Sequence, residues 1–121
     1  MNSSDLKDRL KSFAIRIIRL SEVIPNTITG KTIANQLIRS GTSPGANYRA
    51  ACLGKSGKDF LNKLKMVEEE LDETLYWLEL LIESELIKEH LLNDLMVENK
   101  ELLKIIVSSI TTIKRKQQDS K

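Results

Sequence analysis

The stretch "RSGTSPGANYRAA", from Arg39 to Ala51, decides the fold of this chain. It holds two glycines, a proline and several small polar residues, a composition that ordinarily ends a helix. Apolar or small residues nevertheless recur at helical spacing before, within and after it. At about 100° per residue, one arc collects Ile33, Leu37, Gly41, Pro44, Tyr48 and Ala51. We therefore predict one helix through the whole stretch, kinked near Pro44.

Two polar stripes run beside that apolar arc. The basic and polar stripe contains Lys31, Asn35, Arg39, Thr42 and Arg49. The small polar stripe contains Gln36, Ser40, Ser43 and Asn47.

A proline inside a helix costs about 3 kcal/mol and a glycine about 1 kcal/mol, so keeping these residues inside the helix needs a physical reason. Either small residues let a neighbouring backbone approach closely, or freed polar groups serve a ligand or another subunit. We favour packing, and expect the small polar stripe to be a partly buried packing or oligomer motif.

Three further apolar stripes, with spacings of three and four, predict three more helices. The first begins after a possible Ser4 cap, ends at "IPN", and contains Leu6, Leu10, Phe13, Ile17, Leu20 and Ile24. The third begins after a possible Ser56 cap and contains Phe60, Leu64, Val67, Leu71, Thr74, Leu78 and Leu81. The fourth contains Leu92, Leu95, Asn99, Leu102, Ile106, Ser109 and Ile113. Residues 1–121 thus form one all-α domain, an up-down four-helix bundle, with a frayed tail expected from about 114 to 121.

Composition narrows the class of protein. Aromatic residues make up only 4% of the 121 residues, as in helical bundles rather than sheet proteins. No run of about 18 apolar residues exists, so no membrane span or membrane partner is expected. The single cysteine, Cys52, cannot form an internal disulfide, which favours a reducing, cytoplasmic setting.

The small net charge of +2 hides an asymmetry. Residues 1–65 carry 12 Lys/Arg against 4 Asp/Glu, and residues 66–121 carry 7 against 13. The basic half could bind RNA or DNA, since phosphate neutralisation dominates such binding. The candidate nucleic-acid contacts are Arg16, Arg19, Lys31, Arg39, Arg49, Lys55 and Lys58. Alternatively, basic residues such as Arg39 and Arg49 pair with the acidic block Glu68–Glu73 within or between subunits.

Little in the sequence indicates catalysis, and we expect no enzyme, no metal and no cofactor. His90 is the only histidine and lacks a glutamate three positions earlier, where the carboxylate-bundle metal motif needs one. A catalytic thiolate at Cys52 would need a histidine partner, and His90 is the only candidate. "GKSGK", Gly54–Lys58, lacks the phosphate-loop spacing and reads as a turn.

Two segments carry a resemblance to a known family: "NQLIRSGTSPGAN", Asn35–Asn47, and "VEEELDETLYWLELL", Val67–Leu81. The chain resembles the bacterial four-helix-bundle family encoded in intervening sequences of 23S ribosomal RNA genes, also called the S23 family. Proline comes one place earlier than in the common pattern, and Ala50 stands where a glutamate is often found. The positions that match in register are Gln36, Leu37, Arg39, Ser43 and Asn47.

The resemblance implies an up-down bundle, homopentameric rings and no enzymatic activity. RNA binding is the usual conjecture for the family, and a similar protein is the accessory subunit of diversity-generating retroelements, which engages reverse transcriptase and nucleic acid. Two hypotheses follow: an oligomeric nucleic-acid-binding bundle, or a scaffold or accessory subunit of a reverse transcriptase or another protein, without direct nucleic-acid binding. The exposure of the basic residues distinguishes them.

Overall fold

Four helices account for almost all of the computed structural model, which describes residues 1–54 and 56–119. They are α1 (Ser3–Val23), α2 (Ile28–Cys52), α3 (Gly57–Glu83) and α4 (Glu89–Asp119), and no strand occurs in the described residues. Each helix packs on the next in the chain, and a sparser contact between α1 and α4 closes the bundle. The predicted up-down four-helix bundle is confirmed. No helix in the described ranges combines the length and apolarity needed to cross a bilayer.

Local sequence sets the helix boundaries. At the start of α1, the Asn2 side chain accepts from the Asp5 N–H at 2.8 Å while the Asp5 carboxylate faces the Asn2 N–H, a reciprocal capping box. The cap is therefore Asn2 rather than the predicted Ser4, because only Asn2 has an acidic partner three residues on. Ile24 is extended, as a residue before proline should be. Ser56 caps α3 as predicted.

The core lies along the bundle axis and is built from one stripe of each helix. The largest fully buried side chains are Leu10, Phe13, Ile17, Leu37, Leu64, Val67, Leu71, Leu78, Leu81, Leu92, Leu102 and Ile106. All of them belong to the four predicted stripes. Each buried large side chain stabilises the fold by about 1.5–3 kcal/mol, and the apolar periodicity predicted where these side chains lie.

The α2 helix runs unbroken through Gly41, Pro44 and Gly45, as predicted. Gly41 is buried against Ile17 of α1, where an added Cβ would come within 2.7 Å of the isoleucine side chain. Close packing therefore explains this glycine. The Thr42 and Ser43 hydroxyls each donate 2.6 Å hydrogen bonds to carbonyls four residues earlier, an arrangement that often bends helices. The kink near Pro44 stays a prediction.

Polar contacts fix how α4 sits against its neighbours. Asn99, fully buried, lies against α3; with its nitrogen toward Leu71 it donates to that carbonyl at 3.0 Å and accepts from the Leu75 N–H at 3.3 Å. Arg9 of α1 makes a bidentate ion pair with Glu98, at 2.6 and 3.1 Å. The helix remains regular through Asp119, beyond the position near 114 where fraying is expected, and fraying in solution stays a prediction.

Candidate nucleic-acid interface

The outer surfaces of α1 and α2 carry the basic half of the molecule. α2 has three basic residues and no acidic one, and α1 has five basic against three acidic. Within these two helices, four of the predicted contacts are exposed and form no ion pair with the described residues: Arg16, Arg19, Lys31 and Arg49. Their charges are thus available to an anion from outside the chain.

Arg39 differs from those four, because its guanidinium pairs with the Glu73 carboxylate of α3. The same guanidinium donates to the Gln36 amide oxygen at 2.8 Å, and Glu73 also accepts from the Trp77 indole at 3.0 Å. Arg39 therefore belongs to a network between α2 and α3, which is the pairing with the acidic block that the sequence left open. A phosphate would have to compete with Glu73 for it.

The small polar stripe of α2 faces α3. Asn47 donates to Glu70 at 2.8 Å, and the fully buried hydroxyls of Ser40 and Thr74 are 2.9 Å apart. The Thr74 oxygen also lies 2.8 Å from the Glu70 carbonyl. The Thr74 hydroxyl has one proton, which it donates to that carbonyl. The Ser40 hydroxyl is therefore the donor in the hydrogen bond between the two hydroxyls. These contacts make the stripe part of the α2–α3 packing, and a role in oligomerisation stays a prediction.

Glu70 is the acidic member of this interface whose titration is perturbed. Partial burial raises the pKa of its carboxyl above the usual range. The hydrogen bond from Asn47, the nearby Ser43 hydroxyl and the charge of Arg39 oppose that rise, because they stabilise the carboxylate. The Glu70 carboxylate is thus bonded to α2 and does not belong to a freely accessible acidic surface.

The predicted cations do not converge on one surface. Arg16 and Arg19 line a cleft of about 310 Å³ with Leu91, Leu92 and Leu95 of α4, on the side of α1 away from α2. Lys31 and Arg49 lie on α2, and Lys58 is exposed in the first turn of α3. Lys55 lies outside the described residues. The sequence could not show that these cations lie on different surfaces, because that depends on how the helices are arranged around the bundle.

Two basic residues that the sequence prediction missed complete a smaller cleft between α1 and α2. Lys7, Lys11 and Arg49 line it, together with Ala14, Thr42, Gly45 and Ala46, and it encloses about 160 Å³. The spacing of four between Lys7 and Lys11, beside the first apolar stripe, was the available signal. It places both ammonium groups on one flank of α1.

The sequence of residues 3–108 matches the 23S rRNA-intervening sequence protein family. The chain belongs to that family. A solved relative is the protein with unknown function from the S23 ribosomal protein family of Bacteroides thetaiotaomicron VPI-5482, known from a crystal structure at 1.70 Å resolution. The two are 38% identical and superpose with a TM-score of 0.85, covering 92% of this chain and 99% of the relative. No curated protein matches the chain.

Reactive side chains in this member of the 23S rRNA-intervening sequence family are dispersed. In the described residues no three His, Cys, Asp or Glu side chains converge to hold a metal ion. His90 is exposed on α4. Burial, with a smaller contribution from the neighbouring half-buried Cys52, raises the pKa of Tyr48 to about 12, so its phenol stays protonated at neutral pH.

Proposed function

We propose that this family member is a non-enzymatic, self-associating bundle that binds nucleic acid through the exposed cations of α1 and α2. The observation that supports the proposal is the charge of α2, a helix of 25 residues with three basic side chains and no carboxylate. Lys31 and Arg49 project from it unpaired, so the outer face of α2 offers no competing anion of its own. The single free thiol of Cys52 favours a reducing compartment such as the cytoplasm.

The chemistry of this surface favours phosphate contacts over base reading. Ammonium and guanidinium groups neutralise phosphates without regard to sequence. Stacking on bases needs exposed aromatic rings, and Tyr76, on α3, is the exposed aromatic side chain among the described residues. Binding should therefore tolerate many sequences and weaken steeply with salt.

The test is fluorescence anisotropy of labelled single-stranded RNA and DNA oligonucleotides at several salt concentrations. For the wild-type protein we expect log affinity to fall linearly with log salt, with a slope of about −0.7 for each phosphate contacted. The double variant Lys31→Glu, Arg49→Glu should bind more weakly and with a shallower slope. Arg39 is left intact because it is committed to Glu73.

The matched control is Lys100→Glu with Lys104→Glu, which makes the same charge change on exposed positions of α4. This variant should stay close to wild type. No binding by the wild-type protein at low salt would contradict the proposed function. Equal loss of affinity in both double variants would show a general effect of charge rather than binding at a specific surface of α2.

The second candidate function is an accessory subunit that binds a protein, for which a reverse transcriptase is one class of partner. Two observations favour it. Arg39 already has a carboxylate partner in the chain. Ile15, Ile18 and Ile38 of α1 and α2 remain 43%, 41% and 39% exposed, an apolar character that phosphate binding does not require. Retained partner binding in the Lys31→Glu, Arg49→Glu variant would favour this function.

A further inference from the structure

We infer that the cleft lined by Lys7, Lys11 and Arg49 seats a single phosphate group of a bound nucleic-acid strand. The inference rests on the proposed function and deepens it. Two of the three cations of this cleft, Lys7 and Lys11, lie outside the candidate contacts predicted from the sequence.

The three cations converge from two helices. Lys7 and Lys11 are one turn apart on α1, and Arg49 reaches the same cleft from α2. No carboxylate lines the cleft, and none of the three forms an ion pair within the described part of the chain. Like charges at this spacing repel by a few tenths of a kcal/mol, so a bound anion would relieve a cost that the free protein bears.

The nearest carboxylate in sequence, Asp8, is not part of the cleft and forms no ion pair with either lysine in the described residues. Its side chain is exposed. The two ion pairs of the described residues, Arg9–Glu98 and Arg39–Glu73, lie at other helix contacts. The anion that the cleft lacks must therefore come from outside the chain.

Small residues make the cleft concave. Ala14, Gly45 and the exposed Ala46 line it with short side chains or none, so the long basic side chains extend past them. Thr42 is also in the lining, but its hydroxyl proton is donated to the Ile38 carbonyl at 2.6 Å. The donors available to an anion are thus the two ammonium groups and the guanidinium, and a phosphate has acceptor oxygens for all three.

The size of the cleft selects a small group. Its 160 Å³ falls below the roughly 300–1,000 Å³ of sites that enclose whole drug-sized ligands. At about 30 Å³ per water, it has room for one tetrahedral oxyanion and a little solvent, and the sugar and base would stay outside. A seat of this kind reads no base, in agreement with sequence-tolerant binding.

A nucleic-acid strand suits the cleft better than an acidic protein segment does. Lys31 lies on the same outer side of α2 as Arg49, and eighteen residues separate them, which is about 27 Å along a helix. The cations therefore extend well beyond one cleft. A polyanion with a charge on every residue can occupy the seat and the rest of this row together, whereas carboxylates in a folded partner seldom continue in a line.

The experiment compares three variants with the wild-type protein in the same RNA anisotropy titration. Lys7→Gln with Lys11→Gln removes two of the three donors to one phosphate, and should weaken binding and reduce the steepness of the salt slope by up to about 0.7, the value for one phosphate contact. Ala46→Glu keeps every cation but places a carboxylate at the exposed edge of the cleft, and should weaken binding at low salt. Lys100→Gln with Lys104→Gln is the control of equal charge change.

The outcomes separate the seat from the proposed function. If both cleft variants lose affinity, with helical circular dichroism intact and the control unchanged, the seat is supported. If cleft and control variants bind alike, the seat is overturned while nucleic-acid binding stands. No RNA binding by the wild-type protein overturns both. If a polyglutamate peptide displaces RNA as well as an unlabelled oligonucleotide of equal charge does, the cleft takes carboxylates equally well and its assignment to phosphate is overturned.

Discussion

Gly41 and Gly45 lie one turn apart in α2, yet they meet different surroundings in α1. A Cβ added at Gly41 would come within 2.7–2.8 Å of the Ile17 side chain, which is fully buried and has nowhere to move. A Cβ added at Gly45 would meet Leu10 at 3.6 Å, an ordinary van der Waals distance. Each glycine costs the helix about 1 kcal/mol relative to alanine, and only the first offsets that cost through close packing.

The two alanine substitutions should therefore have opposite signs. Gly45→Ala should raise the free energy of unfolding by about 0.5–1 kcal/mol, the usual gain in helix propensity. Gly41→Ala should lower it by about 1 kcal/mol, because overpacking of about 1–3 kcal/mol exceeds that gain. Urea unfolding of both variants beside the wild type measures the difference, and stabilisation by both would refute the close contact with Ile17.

At this scale the sequence showed which residues are small and not what faces them. The periodicity of α2 placed Gly41 on the buried arc, which is correct. Its partner Ile17 depends on the height at which α1 crosses α2, and no local pattern contains that height. The same limitation applies to Lys7 and Arg49, which are 42 positions apart in sequence and line one cleft.

Among the helices, α3 and α4 share the most distinctive buried polar contact. Asn99 interrupts an otherwise apolar stripe and reaches the Leu71 carbonyl and the Leu75 N–H of α3. Those two backbone groups are four residues apart and already bond to each other within the helix. The amide therefore adds to a satisfied pair, and what it fixes is the height of α4 against α3, as a buried asparagine does in coiled coils.

Substitutions at Asn99 should separate stability from specificity. Asn99→Leu leaves no backbone group unpaired, so the free energy of unfolding should stay within about 1 kcal/mol of wild type or rise. Asn99→Asp should cost about 3–5 kcal/mol at neutral pH, because it buries a charge without a cation.

The cost in Asn99→Asp should depend on pH. Burial raises the folded-state pKa of the new carboxyl above its unfolded value of about 3.9. The penalty is therefore full above the folded-state pKa and disappears below about pH 4. Urea midpoints at pH 7 and near pH 4 measure it, with wild type at both pH values as the reference.

A large loss of unfolding free energy in Asn99→Leu would show that the amide contributes stability rather than register.

The helices themselves were readable from sequence because apolar spacing reports directly on burial. All four stripes, the break at Pro25 and the Ser56 cap were predicted. The cap of α1 was missed because Asn2 and Ser4 are both good capping residues, and only the contact with Asp5 decides between them. The ion pair of Arg39 was one of two open alternatives, since sequence gives the charges of α2 and α3 but not their facing positions.

For the whole molecule, the exposed apolar side chains bear on the number of subunits. Large apolar side chains remain on the outer faces, among them Ile15 and Ile18 of α1 and Leu91 and Val97 of α4, at 43%, 41%, 65% and 67% exposure. Ile15 and Ile18, three residues apart, share a face of α1, and exposed apolar surface on a helix face is a candidate protein interface. Together with the pentameric rings that the family resemblance implies, this favours a homopentamer.

Light scattering at micromolar concentration should give a mass of about 69 kDa, five times the 13.8 kDa of the chain. Ile15→Glu with Ile18→Glu should lower that mass if α1 contributes to the interface. A wild-type mass of 13.8 kDa would rule out self-association, and any other closed number would revise the ring size while keeping the oligomer.

The division of charge between the helices makes this nearly neutral chain a strong electric dipole. α1 and α2 together carry a net +5, and α3 and α4 together carry a net −5, on opposite sides of the bundle. An approaching polyanion would orient a free subunit before contact, with its basic helices toward the polyanion, which raises the rate of productive encounters. Screening over about 10 Å in 0.1 M salt confines this orientation to the last stage of approach. Salt should therefore slow capture more than it shortens the lifetime of the complex.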